Sequence, residues 1–414
     1  MVEETDVLIL GGGITGTGIA RDLELRGLDT VVVERGRLAD GATGNMHGLL
    51  HSGARYAVAD PESARNCIEE NRILRDIASH CVDETGGYFV QLAEDDESHF
   101  ERSRQACLDC GIDVESVSAE EIREDHPYLA SETKRAFRVP DAVIHPFPLT
   151  VANAVDARDH GGIIETHAEV VDILVEGGAV VGAEVRYREE SKIETIRARH
   201  VVNATGAWAE SVGAMANIEI PMRPSKGVMV VVDFPSLDTV VNHCRPATDG
   251  DIVLPHENTA IIGTTSVEVE NPDDYPKAQW EEDLMIEEAS RTIPDIATAR
   301  TIRSYWGVRP LFGGTDVTLE DGRALTRDFA LLDHGERDDR PGMTTIVGGK
   351  LTTYRQMAEA VSDHVSSELG VSEPCRTATE PLPGRDDPDE LRNTLDEFGP
   401  LPPAEELASD VIRD

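Results

Sequence analysis

Lysine is nearly absent from this chain. Of its 414 residues only Lys134, Lys192, Lys226, Lys277 and Lys350 are lysines, and 38 Lys plus Arg face 79 Asp plus Glu, a net charge of −41. Such a surface excludes nucleic acid as a partner, because nothing neutralises a phosphate backbone. The acidic residues are spread along the chain and do not form a tail. A uniform coat suits a protein kept soluble in high salt, where at 1 M the Debye length is about 3 Å and self-repulsion is screened. A halophilic source is inferred. Long apolar runs are missing too: none approaches the ~18 residues of a spanning helix. The N-terminus has neither the basic flank nor the apolar core of a signal peptide, so cytoplasmic residence is the default expectation. The six cysteines are scattered. Cys107 and Cys110 form a C-x-x-C with no second pair and are read as ordinary thiols, with no metal site expected. No internal repeat is visible. With 40% hydrophobic residues the chain is globular and long enough for two or three domains.

What is present begins at the N-terminus. Residues 5–10, TDVLIL, read as a buried strand, and Gly11-Gly12-Gly13-Ile14-Thr15-Gly16 fits G-x-G-x-x-G. Residues 14–26 carry helical apolar spacing at Ile14, Ile19, Leu23 and Leu25, and residues 29–33 form a second β-branched run ending on Glu34. Strand, glycine turn, helix, strand and acid in this order predict a dinucleotide-binding βαβ unit. Gly11 permits the tight turn, Gly13 lets the backbone approach a pyrophosphate, and Gly16 lets helix and strand pack closely. The helix N-terminus offers N–H groups to phosphates, and Glu34 can accept from ribose hydroxyls. The unit alone does not choose FAD over NAD.

Further along, residues 36–53 are rich in glycine and small side chains and read as a loop. Residues 61–81 are an amphipathic helix opened by Pro61. Residues 95–110, 118–124 and 147–158 are further helices, the second with a Ser118-x-x-Glu121 capping box. Residues 169–188 read as a hairpin about Gly177-Gly178, followed by a strand at 200–203 that ends in Ala204-Thr205-Gly206. A meander and a return of this kind favour FAD. Short strands at 227–232, 251–254, 259–263 and 301–308, with one helix at 279–291, suggest a mostly antiparallel sheet carrying the substrate. A strand at 344–347, Gly348-Gly349 and a helix at 352–369 offer a second glycine turn before a helix N-terminus. Residues 376–414, rich in Pro, Asp and Glu, read as a linker plus a helix fragment.

With these pieces assembled the sequence resembles the FAD-dependent glycerol-3-phosphate dehydrogenases, nearest to the A subunit of the anaerobic type. The resemblance rests on GGGITGTGIARDLELRG, GATGNMHGLLHSGARYAV, ESARNCIEEN, DGDIVLP at 249–255, IIGTTSVE, WGVRPL, LTRD and GGKLTTYR, and runs from about residue 7 to 383. It implies an α/β fold related to amino-acid oxidases: a Rossmann-like FAD domain (1–75, 145–220, 325–375) with an inserted antiparallel-sheet substrate domain (76–144, 221–324), then 376–414 as a linker before an absent cysteine-bearing region. It implies oxidation of sn-glycerol 3-phosphate to dihydroxyacetone phosphate, with electrons passed through companion subunits to a membrane quinone, the chain lying at the inner face of the membrane through those partners.

The residues implied follow the motifs. Cofactor contacts are expected from Gly11, Gly13, Ile14, Thr15, Gly16, Glu34, Arg35, Thr43, Gly44, Leu49, Val170, Ala204, Gly206, Gly349, Leu351 and Thr352. A phosphate dianion calls for cations, and arginine forks onto phosphate oxygens. Arg55, Arg309, Arg327 and Lys350 match positions cationic in the family's substrate site, and Tyr56 joins them as a substrate contact. His51, four residues before Arg55, is the candidate base, since imidazole titrates near neutrality; Arg309 is its partner, stabilising a developing alkoxide. His47 is an alternative flavin contact, and Lys226 in PSKGV matches with a structural role. His256 is left out of the catalytic set. Two rivals stay open: an oxidase of an amine or 2-hydroxy acid on the same fold, and a flavin-bearing protein that serves only in assembly. The cations argue against an amine, and the His51 cluster against a scaffold.

Overall fold

The computed structural model describes residues 4–188, 192–313, 329–399, 401–403 and 405. Its organising strand is β1, Glu4–Leu10. Val7, Leu8, Ile9 and Leu10 are fully buried, which fits a parallel strand covered on both faces. β1 pairs in parallel with β2, Thr30–Val33, and with the strand Lys192–Asn203, so that Leu10 stands between Val33 and Asn203. The sheet continues in parallel to Ile163–Glu165 on one side and Met343–Gly348 on the other. The hairpin Ala168–Glu176 and Ala179–Tyr187 joins it antiparallel through Lys192–Asn203. Helix α1, Ile14–Leu25, connects β1 to β2 and packs between the helices Pro146–Asp159 and Tyr354–Leu369.

A second sheet of nine strands is drawn from residues 87–139 and 225–309. It is antiparallel except where Val240–His243 runs parallel to Gly87–Leu92. The strands Gly87–Leu92 and Thr133–Val139 go beyond the helices expected in that part of the chain. Thr301–Arg309 pairs with Ser225–Asp233, placing Arg309 opposite Ser225. The capping box forms as expected, Ser118 Oγ accepting from Glu121 N–H and Glu121 accepting from Ser118 N–H. Cys107 and Cys110 are buried free thiols, and burial pushes Cys107 up to about 12, so it stays protonated and unreactive at neutral pH. Among the described residues no helix is long and apolar enough to cross a membrane.

The stretch expected to be a linker plus a helix fragment is held, over its described residues, against the body of the protein. Leu382, Leu391, Leu395 and Phe398 are buried in one cluster with Phe147, Leu149 and Tyr354. Its helix, Pro388–Leu395, is capped by Asp387, which accepts from Asp389 N–H. The acidic composition hides three apolar residues at helical spacing. Farther on, Glu405 is 1% exposed and accepts from His145 Nδ1 at 2.9 Å, while His145 Nε2 lies 3.3 Å from Asp83. Burial would lower the His145 pKa, but Glu405 and Asp83 outweigh it and hold it up to about 10. A histidine raised in this way adds stability that is complete below its ordinary value of 6.5 and is lost as pH climbs through about 10. Melting curves in molar salt should therefore show the wild type more stable than His145→Gln near pH 6.5, with the two converging towards pH 10; a constant gap would rule out the charged pair.

Candidate active site

The carboxyl ends of the parallel strands open onto a cavity of about 960 Å³. Gly11, at φ +110°, turns the chain from β1 into α1. Its N–H donates to Val33 O, and a Cβ there would lie 2.6 Å from Ala204 O. Ala204 N–H in turn donates to Leu10 O, so the glycine turn and the Ala204-Thr205-Gly206 return are seated against each other. Gly13 is the N-cap of α1 and makes no side-chain cap. A Cβ on Gly13 would meet only Thr43 Oγ1, at 3.2 Å, and that same oxygen accepts from Ile14 N–H at 3.2 Å. The first residues of the helix, Gly13 to Thr15, thus line the cavity with no side chain between Gly13 and the space a pyrophosphate would take, while Thr43 holds the Ile14 N–H. Glu34 is fixed by Gly12 N–H at 2.8 Å and Gly36 N–H at 2.7 Å. Burial raises its pKa, and these two donors oppose the rise.

Gly11, Gly13, Ile14, Thr15, Glu34, Arg35, Thr43, Leu49, Val170, Ala204, Gly206, Gly349 and Leu351 all line the cavity. Gly16, Gly44 and Thr352 are not among its described lining residues. Gly16 packs on the turn, since a Cβ would sit 2.0 Å from Gly11 O. Gly44 is closed off by Ala39 O and Pro402, at 2.5 and 2.6 Å from a built Cβ. Thr352 Oγ1 accepts from His51 N–H at 3.1 Å and so anchors the base candidate's backbone. Arg35 lines the cavity, but its guanidinium is clamped by Asp273 at 2.6 Å and lies 4.2 Å over the Trp208 ring, whose Nε1 also donates to Asp273. Nothing in the sequence signalled this clamp, which closes across 238 positions.

The residues expected to do chemistry converge in part. His47, His51, Tyr56, Arg309 and Lys350 share the cavity with the glycine turn. The His51 ring lies 5.4 Å from Tyr56 and 6.3 Å from His47. Lys350 Nζ sits 4.7 Å over the Tyr56 ring and 3.2 Å from Ser63 Oγ. His47 Nδ1 accepts from Leu49 N–H at 3.2 Å, so the neutral ring carries its proton on Nε2. Arg55 departs from expectation: it is not among the described lining residues, and its guanidinium is taken by Asp251 at 2.9 Å, a buried carboxylate that also holds Arg245. Arg327 lies outside the described residues.

The residues present fit FAD: a glycine-capped helix N-terminus beside a fixed acid, a second glycine turn at Gly349, and a cavity that continues to Arg309 and Lys350. Comparison with known proteins agrees. Residues 6–355 match the family described as DAO, FAD dependent oxidoreductase. The A1 subunit of the anaerobic glycerol-3-phosphate dehydrogenase of Haloferax volcanii is 57% identical over 408 residues, covering 96% of this chain and 70% of that protein. The A subunit of the anaerobic enzyme from Escherichia coli K12 is 43% identical over 403 residues, 96% of this chain and 74% of its own. The solved glycerol-3-phosphate dehydrogenase of Bacillus halodurans, complexed with FAD, superposes with a TM-score of 0.70 at 26% identity, over 95% of this chain and 71% of that one. The chain belongs to the FAD-dependent oxidoreductase family and, within it, to the A subunits of the anaerobic glycerol-3-phosphate dehydrogenases.

Proposed function

We propose that the chain oxidises sn-glycerol 3-phosphate to dihydroxyacetone phosphate with FAD as cofactor. The observation that carries this reading is the sharing of one cavity by the dinucleotide turn and by His51, Tyr56, Arg309 and Lys350. FAD would be held by Gly11, Gly13, Thr15, Glu34, Ala204, Gly206 and Gly349, and when bound it supplies the hydride acceptor for the C2 carbon. His51 takes the proton of the C2 hydroxyl. Arg309 stabilises the negative charge that grows on that oxygen. Lys350 attracts the phosphorylated substrate, and Arg327 is assigned to its phosphate on the strength of the LTRD motif. The cofactor part comprises 1–75, 145–220 and 325–375, the substrate part 76–144 and 221–324.

The relatives are subunits of a larger enzyme by name, and companion subunits follow for this chain. They carry the electrons onward to a membrane quinone and hold the chain at the inner membrane face. An amine substrate is disfavoured, because an ammonium group would enter a cavity lined by Arg309 and Lys350. The test is direct. In about 1 M salt, where the acidic coat is screened, and without oxygen, glycerol 3-phosphate should bleach the flavin absorbance of the purified protein. Bleaching by an amino acid and not by glycerol 3-phosphate would overturn the assignment.

A further inference from the structure

Lys226 is one of five lysines in the chain, yet its side chain is 2% exposed and is paired at 2.5 Å with Glu281, 0% exposed. Two charges withdrawn from water are tolerated only when further hydrogen bonds complete them. Lys226 Nζ also donates to Pro276 O. The second oxygen of Glu281, Oε1, accepts from Thr265 Oγ1 at 3.0 Å. Thr265 has a single hydroxyl proton, and giving it to Glu281 leaves its lone pairs to accept from Val228 N–H at 3.1 Å. The Thr265 side chain is therefore fixed through both its donor and its acceptor. Its carbonyl oxygen accepts from Arg309 Nη2 at 3.1 Å. Gly227 leaves room for that contact, since a Cβ there would lie 2.6 Å from Thr265 O and 2.8 Å from Arg309 Nη2. Lys226 itself stands opposite Val308 in the sheet and is not among the described residues of the cavity wall, so it is not a substrate cation.

We propose that Lys226, Glu281 and Thr265 are positioning residues that set the direction of the Arg309 guanidinium in the cavity; this rests on the role given to Arg309 above. A buried ion pair is often replaceable by apolar residues without loss of stability, so what this one contributes is orientation. The ammonium fixes the carboxylate, the carboxylate fixes the Thr265 hydroxyl, and the loop so held presents its carbonyl to Arg309.

A double-mutant cycle tests this, read as the limiting rate of anaerobic flavin reduction by glycerol 3-phosphate, with FAD content and melting temperature recorded for each protein. Thr265→Val keeps the shape and removes the hydroxyl. It should retain FAD and slow reduction by about tenfold or more, the scale at which misplacement of a catalytic group is felt. Thr265→Ser should recover most of that rate, and in an Arg309→Ala background Thr265→Val should slow reduction no further. A full Thr265→Val loss in the Arg309→Ala background would reduce the network to a structural support and overturn the proposal. A slow Arg309→Ala beside a Thr265→Val of wild-type rate would overturn the positioning alone. An Arg309→Ala of wild-type rate would remove the role of Arg309 and the positioning with it. If Thr265→Val does not accumulate folded, Glu281→Gln, which keeps volume and an acceptor but not the charge, goes through the same cycle with the same expectations.

Discussion

His51→Gln binds FAD normally and is reduced by glycerol 3-phosphate some 10²- to 10⁴-fold more slowly than the wild type, the range expected for loss of a positioned base. The ring of His51 shares its cavity with the glycine turn, and Thr352 holds its backbone through the His51 N–H. Its neighbour His47 is the natural competitor. However, His47 Nδ1 already accepts from Leu49 N–H, so one of its two nitrogens is committed and the other bears the proton. A base needs a lone pair, and His47 has none to give in that state. Glutamine at 51 keeps the packing against Tyr56 and leaves the cofactor contacts untouched. Stopped-flow reduction at saturating substrate is the measurement. A rate within threefold of the wild type would remove His51 from the proton transfer, and a larger loss in His47→Gln would reassign it.

The second large effect falls on cofactor capture. Gly16→Ala should yield protein that is colourless or poorly folded, because its Cβ would sit 2.0 Å from Gly11 O. Neither side can give way. Gly11 is tied by its N–H to Val33 O and flanked by Ala204 O, and α1 is packed between two helices. Overpacking of this kind costs about 1–3 kcal/mol or more, and here the strain lands on the turn that faces the pyrophosphate. Gly27→Ala is the contrast. Gly27, unlike Gly16, has a positive φ, +82°, but its Cβ would meet nothing within 4 Å. It loses only the roughly 1–2 kcal/mol of a left-handed residue and keeps its flavin. The ratio of flavin to protein absorbance in the two variants decides the point, and a fully yellow Gly16→Ala would contradict the packing argument.

The first 35 residues were legible because each element there follows a local rule: apolar run, glycine spacing, amphipathic helix, terminal acid. The second sheet was legible as short strands, but not its one parallel pair, which joins residues 87–90 to 240–243 and leaves no local trace. The packed C-terminal stretch was obscured by its acidic residues, although Leu391, Leu395 and Phe398 have the spacing of a buried helix face. Arg35 and Arg55 show why a cation in a motif is weak evidence for a ligand. Each is held by an aspartate far away in sequence, Asp273 or Asp251, in a chain with more than two acidic residues for every basic one. Lys226 carries the stronger signal. In a sequence that avoids lysine, one kept beside a glycine marks a position that needs an ammonium, and Glu281 supplies the reason.

The central position of β1 also governs when the cofactor can first be held. A ribosome releases the glycine turn early, but Ala204, which seats that turn, and Gly349, which supplies the second one, emerge much later. At ordinary rates of synthesis roughly 7–30 s separate Asn203 from Leu351. During that interval β1 can already pair with β2 and with Lys192–Asn203, but Met343–Gly348, the next parallel strand, is still unmade. Long-range parallel pairing is slow in any case. Flavin is therefore captured only after Leu351 has been made, and cells short of flavin should accumulate colourless polypeptide.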